Sequence, residues 1–112
     1  MRPTDERILA VCHLRQESIQ GTPRPADWQS WLIREWEADR EHGPRYSPTA
    51  WFGELSDAER QNFMRGVYRL AAAGLLVLFK SEGGKLQRVK LTPAGETKAA
   101  ELTAGMEASV DG

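Results

Sequence analysis

Apolar positions recur along this chain with two periods, and the change from one to the other divides it into elements. Ile8, Leu9, Val11, Cys12 and Ile19 lie at helical spacing behind Thr4, Asp5 and Glu6. The spacing predicts a first helix over residues 4–19, with Thr4 as N-cap and the two acids in the positive end of the helix dipole. Gly21-Thr22-Pro23-Arg24-Pro25 cannot continue it. Trp28, Trp31, Leu32 and Trp36 return at helical spacing and predict a second helix from Asp27 to Glu41, closed by Gly43-Pro44. This aromatic stripe is expected to be core, with a partner surface as the alternative because exposed Trp is enriched at interaction sites. Ser47-Pro48 opens a short helix through about Gly53, which Trp51 and Phe52 would plug onto the core.

Ser56-Asp57-Ala58-Glu59 has the spacing of a capping box, in which Ser and Glu each satisfy the other's free backbone N–H. The helix it opens, residues 56–73, buries Phe63, Val67, Leu70 and Ala71, and Gly74 suits its end. The period then falls to two. Residues 75–80 are strand formers, Glu82-Gly83-Gly84-Lys85 is a hairpin turn, and Leu86 to Thr92 alternates, with Val89 and Leu91 opposite Arg88 and Lys90. Thr92-Pro93 caps a last helix that ends near Ala104, so residues 1–104 form one domain and residues 105–112 a flexible tail. The fold class is mainly α (α+β).

Within this order two local signatures stand out. Arg69-Leu70-Ala71-Ala72-Ala73-Gly74-Leu75-Leu76 resembles the R-L-x-x-x-G-L-[VIL] end of the recognition helix in many winged helix-turn-helix regulators. Val89-Lys90-Leu91-Thr92-Pro93-Ala94-Gly95 is similar to the V-x-L-T-x-x-G exit of the wing in MarR-like relatives. The resemblance covers residues 56–98 and implies a winged helix-turn-helix with an extra N-terminal helix, a two-stranded β-wing over residues 77–92 and a C-terminal helix. It also implies a cytoplasmic DNA-binding transcriptional regulator, whose helix 56–73 enters the major groove of double-stranded DNA. The helices at residues 4–19 and 93–104 are where such regulators dimerise, so a homodimer is expected.

Charge sharpens that expectation. The chain is weakly acidic overall, at net −1. Residues 60–98 nevertheless carry eight Lys or Arg against two Glu, net +6, between flanks of −4 and −3. With Phe63, Val67 and Leu70 inward, Gln61, Asn62, Arg65, Tyr68 and Arg69 face outward or near the boundary. Arg suits guanine and Gln or Asn suits adenine. Lys80, Lys85 and Arg88, with Lys90 a weaker candidate, would carry the hairpin to phosphates. The acidic balance and the surplus of Trp keep a second class open, a winged-helix protein–protein module such as an accessory factor of a replication, mobile-element or phage system, with Trp28 and Trp31 as its contact.

Other chemistry finds little support. Cys12-His13 lacks a second ligand pair, so no metal or cofactor is expected. His42 reads as a helix-end cation, and two isolated histidines make no catalytic set, which points away from an enzyme. Gly83-Gly84-Lys85-Leu86 lacks the earlier Gly and the following Ser or Thr of a phosphate-binding loop. A single Cys excludes an internal disulfide and fits a reducing cytoplasm. The N-terminal residues lack the plain apolar block of a signal peptide, and no apolar run is long enough to span a membrane.

Overall fold

The computed structural model describes residues 1–111, with side chains to residue 105. It is mainly helical with one two-stranded antiparallel sheet. In chain order the elements are α1 (Pro3–Gly21), α2 (Ser30–His42), α3 (Pro48–Phe52), α4 (Asp57–Ala72), β1 (Leu76–Lys80), β2 (Leu86–Leu91) and α5 (Pro93–Asp111).

Local chemistry sets most of these boundaries. Ser56 Oγ accepts from Glu59 N at 3.2 Å while Glu59 Oε1 accepts from Ser56 N at 3.1 Å, so the capping box is complete. Ser47 caps α3 by accepting from Ala50 N. Gly74 takes φ +79°, which lets Leu75 N reach back to Leu70 O at 2.9 Å and end α4. Thr92 caps α5, accepting from Gly95 N at 3.0 Å while its own hydroxyl donates to Gly74 O at 2.6 Å.

Four expected boundaries move. α1 runs on through Gly21, expected to stop it, and Thr22 is its C-cap. α1 begins at Pro3, preset for the first helical position, and Thr4 lies inside the helix with no cap to make. α2 begins at Ser30, because residues 26–29 turn (Gln29 N to Ala26 O, 2.9 Å) and Asp27 is engaged by Arg24 at 2.7 Å. α5 continues past Ala104 to Asp111, and Gly112 lies outside the described residues.

The core joins Ile8, Leu9 and Cys12 of α1 to Trp51 and Phe52 of α3, Phe63, Val67 and Leu70 of α4, and Leu76, Leu86, Val89 and Leu91 of the hairpin. Phe52 and Phe63 stack with ring centroids 3.8 Å apart, which fixes the short α3 on α4. Cross-strand pairing sets Leu76 opposite Leu91 and Leu78 opposite Val89 on the core face. Val77 with Lys90 and Phe79 with Arg88 share the other face. The free edge of β2 meets residues 44–46, through the Arg45–Arg88 bridge, Tyr46 N to Gln87 O at 2.9 Å and Val89 N to Pro44 O at 3.2 Å.

α2 overturns the expectation for the tryptophan stripe. Trp28 is 82% exposed, Trp31 is 62% exposed, and α2 buries no residue fully. Its inner side is polar. Glu35 and Asp39 meet Arg88 of the hairpin, Lys90 Nζ donates to Arg40 O and Glu41 O at 3.1 and 3.3 Å, and His42 stacks on Phe79 at 3.9 Å. Leu32 and Trp36 turn partly inward, and Trp36 has Arg40 over its ring at 3.7 Å and its indole N–H donating to Thr22 O at 3.0 Å.

Candidate nucleic-acid interface

α4 buries one face against α1 and the hairpin, and the opposite face is open. Gln61, Arg65 and Tyr68 are exposed and follow one another at i, i+4 and i+7, so they form a single line along the outer face. Asn62 is exposed beside them, and its Oδ1 accepts a long bond from Arg65 Nη1 at 3.5 Å. Tyr68 is 40% exposed, and the ammonium of Lys80 sits 4.7 Å from its ring centroid. That contact joins the end of β1 to α4, and among the described residues the ammonium has no carboxylate partner. Lys85 is exposed on the hairpin turn, where Ser81 N to Lys85 O at 2.8 Å and Gly84 at φ +82° hold the loop.

Arg60 belongs with this group although the sequence did not single it out. It is exposed in the first turn of α4, and among the described residues it has no acidic partner. Of the three arginines of α4, Arg69 alone is ion-paired among the described residues. The signal lay in the charge census of residues 60–98, which counted Arg60 without placing it.

Two expected contacts are placed differently. Arg88 was expected to face outward, but its side chain is 3% exposed: Nη1 donates to Asp39 Oδ1 and, at 2.9 Å, to Gly43 O, and Nη2 donates to Glu35 Oε2 at 2.9 Å. The alternation was right, since Arg88 lies opposite Val89, but α2 covers that face with two carboxylates. Lys90 is held by the carbonyls at the C-terminal end of α2 on the same side. Arg69 is half-buried, with Nη2 donating to Asp5 Oδ1 at 2.8 Å and Nε to Asp5 Oδ2 at 3.2 Å. That carboxylate raises the guanidinium's pKa further above its ordinary value, so Arg69 is a cation at every accessible pH.

The acid side of the α2 seam is electrostatically satisfied. Hydrogen bonds from Arg45 foremost, then the charges of Arg45 and Arg88, hold the Glu35 carboxyl below its ordinary value. At the base of α4 the backbone N–H of Ser56 does the same for Glu59. The outward line of α4 therefore offers guanidinium and amide donors, and the ends of the hairpin offer free ammonium groups.

The remaining reactive groups are occupied or enclosed. His13 pairs with Glu17 at 3.0 Å. Among the described residues no group of three or more His, Cys, Asp and Glu is placed to hold a metal ion, and no helix is long and apolar enough to cross a membrane. Cys12 is fully buried, and burial pushes its thiol up to about 12. Iodoacetamide at pH 8 is therefore expected to leave Cys12 unmodified in the folded protein and to alkylate it in denaturant, as mass spectrometry would show. Modification of the folded chain at the denatured rate would mean that α1 does not seal this site.

No protein-family model, curated protein or solved structure matches the chain.

Proposed function

We propose that this protein is a winged helix-turn-helix DNA-binding transcriptional regulator. In this reading α3, the turn at residues 53–56 and α4 form the helix-turn-helix, α4 enters the major groove, and the hairpin is the wing on the backbone. The observation that carries it is the line Gln61, Arg65 and Tyr68, exposed along one face of α4 without acidic partners among the described residues and continued by Lys80 over the Tyr68 ring. Support comes also from the order short helix, long helix, hairpin, helix, and from residues 44–46 lying against the free edge of β2 through a single bridge. Gln61 and Arg65 suit base edges, whereas Arg60, Lys80 and Lys85 suit phosphates. A homodimer through α1 and α5 belongs to the same reading, and the groove that exposed Leu14 lines with Val11 and Leu102 between these helices supports it.

Fluorescence anisotropy with labelled random-sequence duplex at low salt tests this proposal. The wild type is expected to bind, and Arg65→Ala to cost about 1–3 kcal/mol of that affinity. Absence of binding tighter than ~10⁻⁴ M, the weak end of non-specific association, would overturn it.

The exposure of Trp28 and Trp31 favours a second reading, a protein–protein module that binds through the start of α2. It requires a stoichiometric protein partner that Trp31→Ser releases while the chain stays folded, and no retained DNA.

A further inference from the structure

The crossing of α1 over α4 is built around a carboxylate that the outward line does not use. Gly66 lies in the middle of α4, where glycine is a poor helix former. A Cβ there would come within 2.7 Å of Asp5 Oδ1 and 2.7 Å of Ile8 Cδ1, so the missing side chain leaves the space that the Asp5 carboxylate and the tip of Ile8 occupy. Asp5 is 7% exposed and gives both oxygens to Arg69, a partner 64 positions away in sequence. Two parallel bonds to a planar guanidinium fix orientation as well as distance. A phosphate that drew Arg69 away would strand a buried carboxylate, which opposes the exchange. The pair also neutralises Arg69 beside Arg65, one turn away, where like charges would repel.

We propose that Asp5 and Arg69 are positioning residues that fix the rotation and depth of α4 on α1 through the gap at Gly66, and that Arg69 does not itself touch nucleic acid. The inference rests on α4 being the nucleic-acid face. A direct contact and a positioning role predict opposite signs for Asp5. If Arg69 served phosphate, removing its carboxylate would release a cation and tighten binding. If the pair sets the pose of Gln61, Arg65 and Tyr68, the same change weakens binding.

The test is duplex binding over a salt series for wild type, Asp5→Asn, Arg69→Gln and the double variant, at a temperature where circular dichroism shows all four folded. Each single variant is expected to weaken binding by about tenfold, the double variant by no more than either, with the slope of log K against log salt unchanged. Tighter binding by Asp5→Asn, or a slope reduced by about one in Arg69→Gln, would overturn the proposal. A second readout needs no ligand. In the free protein the amide resonances of Gln61, Arg65 and Tyr68 are expected to shift in the same sense in both single variants, and unchanged resonances would refute positioning. If the wild type binds no duplex, the nucleic-acid reading falls and these resonances alone decide the positioning role.

Discussion

Arg88→Ala is expected to destabilise the protein by about 3 kcal/mol and to lower its thermal midpoint by roughly 10 °C. The guanidinium is enclosed between β2 and α2 and supplies the donors for Asp39, Glu35 and the Gly43 carbonyl together. Truncation removes every one of those donors and strands Asp39 beside an emptied space, while Glu35 keeps its pair with Arg45. Breaking a buried pair from one side costs ~3–5 kcal/mol, and the partial exposure of both acids places this case at the lower end. The loss should be local before it is global. α2 buries no side chain fully, so polar contacts hold it: this seam, the Lys90 caps and the His42–Phe79 stack on the hairpin side, and Trp36 and Arg40 on the carbonyls of Thr22 and Ile19 at the end of α1. Trp36 fluorescence should therefore shift at lower denaturant than the circular dichroism of the remaining helices. A thermal midpoint within ~2 °C of wild type would mean that α2 is held by other contacts.

Gly95→Ala is the second large effect, at about 2–3 kcal/mol in urea unfolding. An added Cβ would lie 2.0 Å from Leu75 O and 3.0 Å from Leu75 C, both backbone atoms that cannot swing aside. Leu75 is further pinned from both sides, since its N–H reaches Leu70 O and its carbonyl accepts from Thr92 N at 3.1 Å. The first turn of α5 thus rests on the beginning of the hairpin, and only glycine permits that approach. Gly83→Ala is the control, because its nearest atom is Ser81 Oγ at 4.0 Å and its φ is not in the left-handed region. Equal stability of Gly95→Ala and Gly83→Ala would contradict the packing described. The result also gives a physical meaning to the last glycine of Val89-Lys90-Leu91-Thr92-Pro93-Ala94-Gly95, which sequence similarity alone leaves as a letter.

Features governed by neighbours along the chain were legible in the sequence. The Ser56–Glu59 box, the Gly74 terminus, the Gly83-Gly84 turn and the inward set Phe63, Val67 and Leu70 all follow from short-range chemistry, and each is present. Features governed by what one element meets in space were not. Helical spacing of Trp28, Trp31 and Trp36 identifies a face of α2 but not what that face touches, and here the helix turns its carboxylates inward. The alternation around Val89 put Arg88 on the correct side of β2. It could not reveal that Glu35 and Asp39, four residues apart on α2, would close over that side. Asp5 read as a helix-dipole residue, although its main partner lies in another helix. On α4 the outward set was legible for Gln61, Asn62, Arg65 and Tyr68, because burial of the opposite stripe fixes it. Arg69 lies at the margin of that set, where a distant carboxylate decides its role.

On the proposed function α4 and the hairpin ends receive nucleic acid, and backbone and indole NMR of the chain titrated with a short random duplex at low salt is the decisive experiment. The amides of Gln61, Arg65, Tyr68, Lys80 and Lys85 are expected to shift progressively while the indole signals of Trp28 and Trp31 stay in place. The shifts are also expected to reverse as salt is raised and counterions return to the phosphates. No perturbation along α4, or perturbation confined to Trp28 and Trp31, would contradict that function.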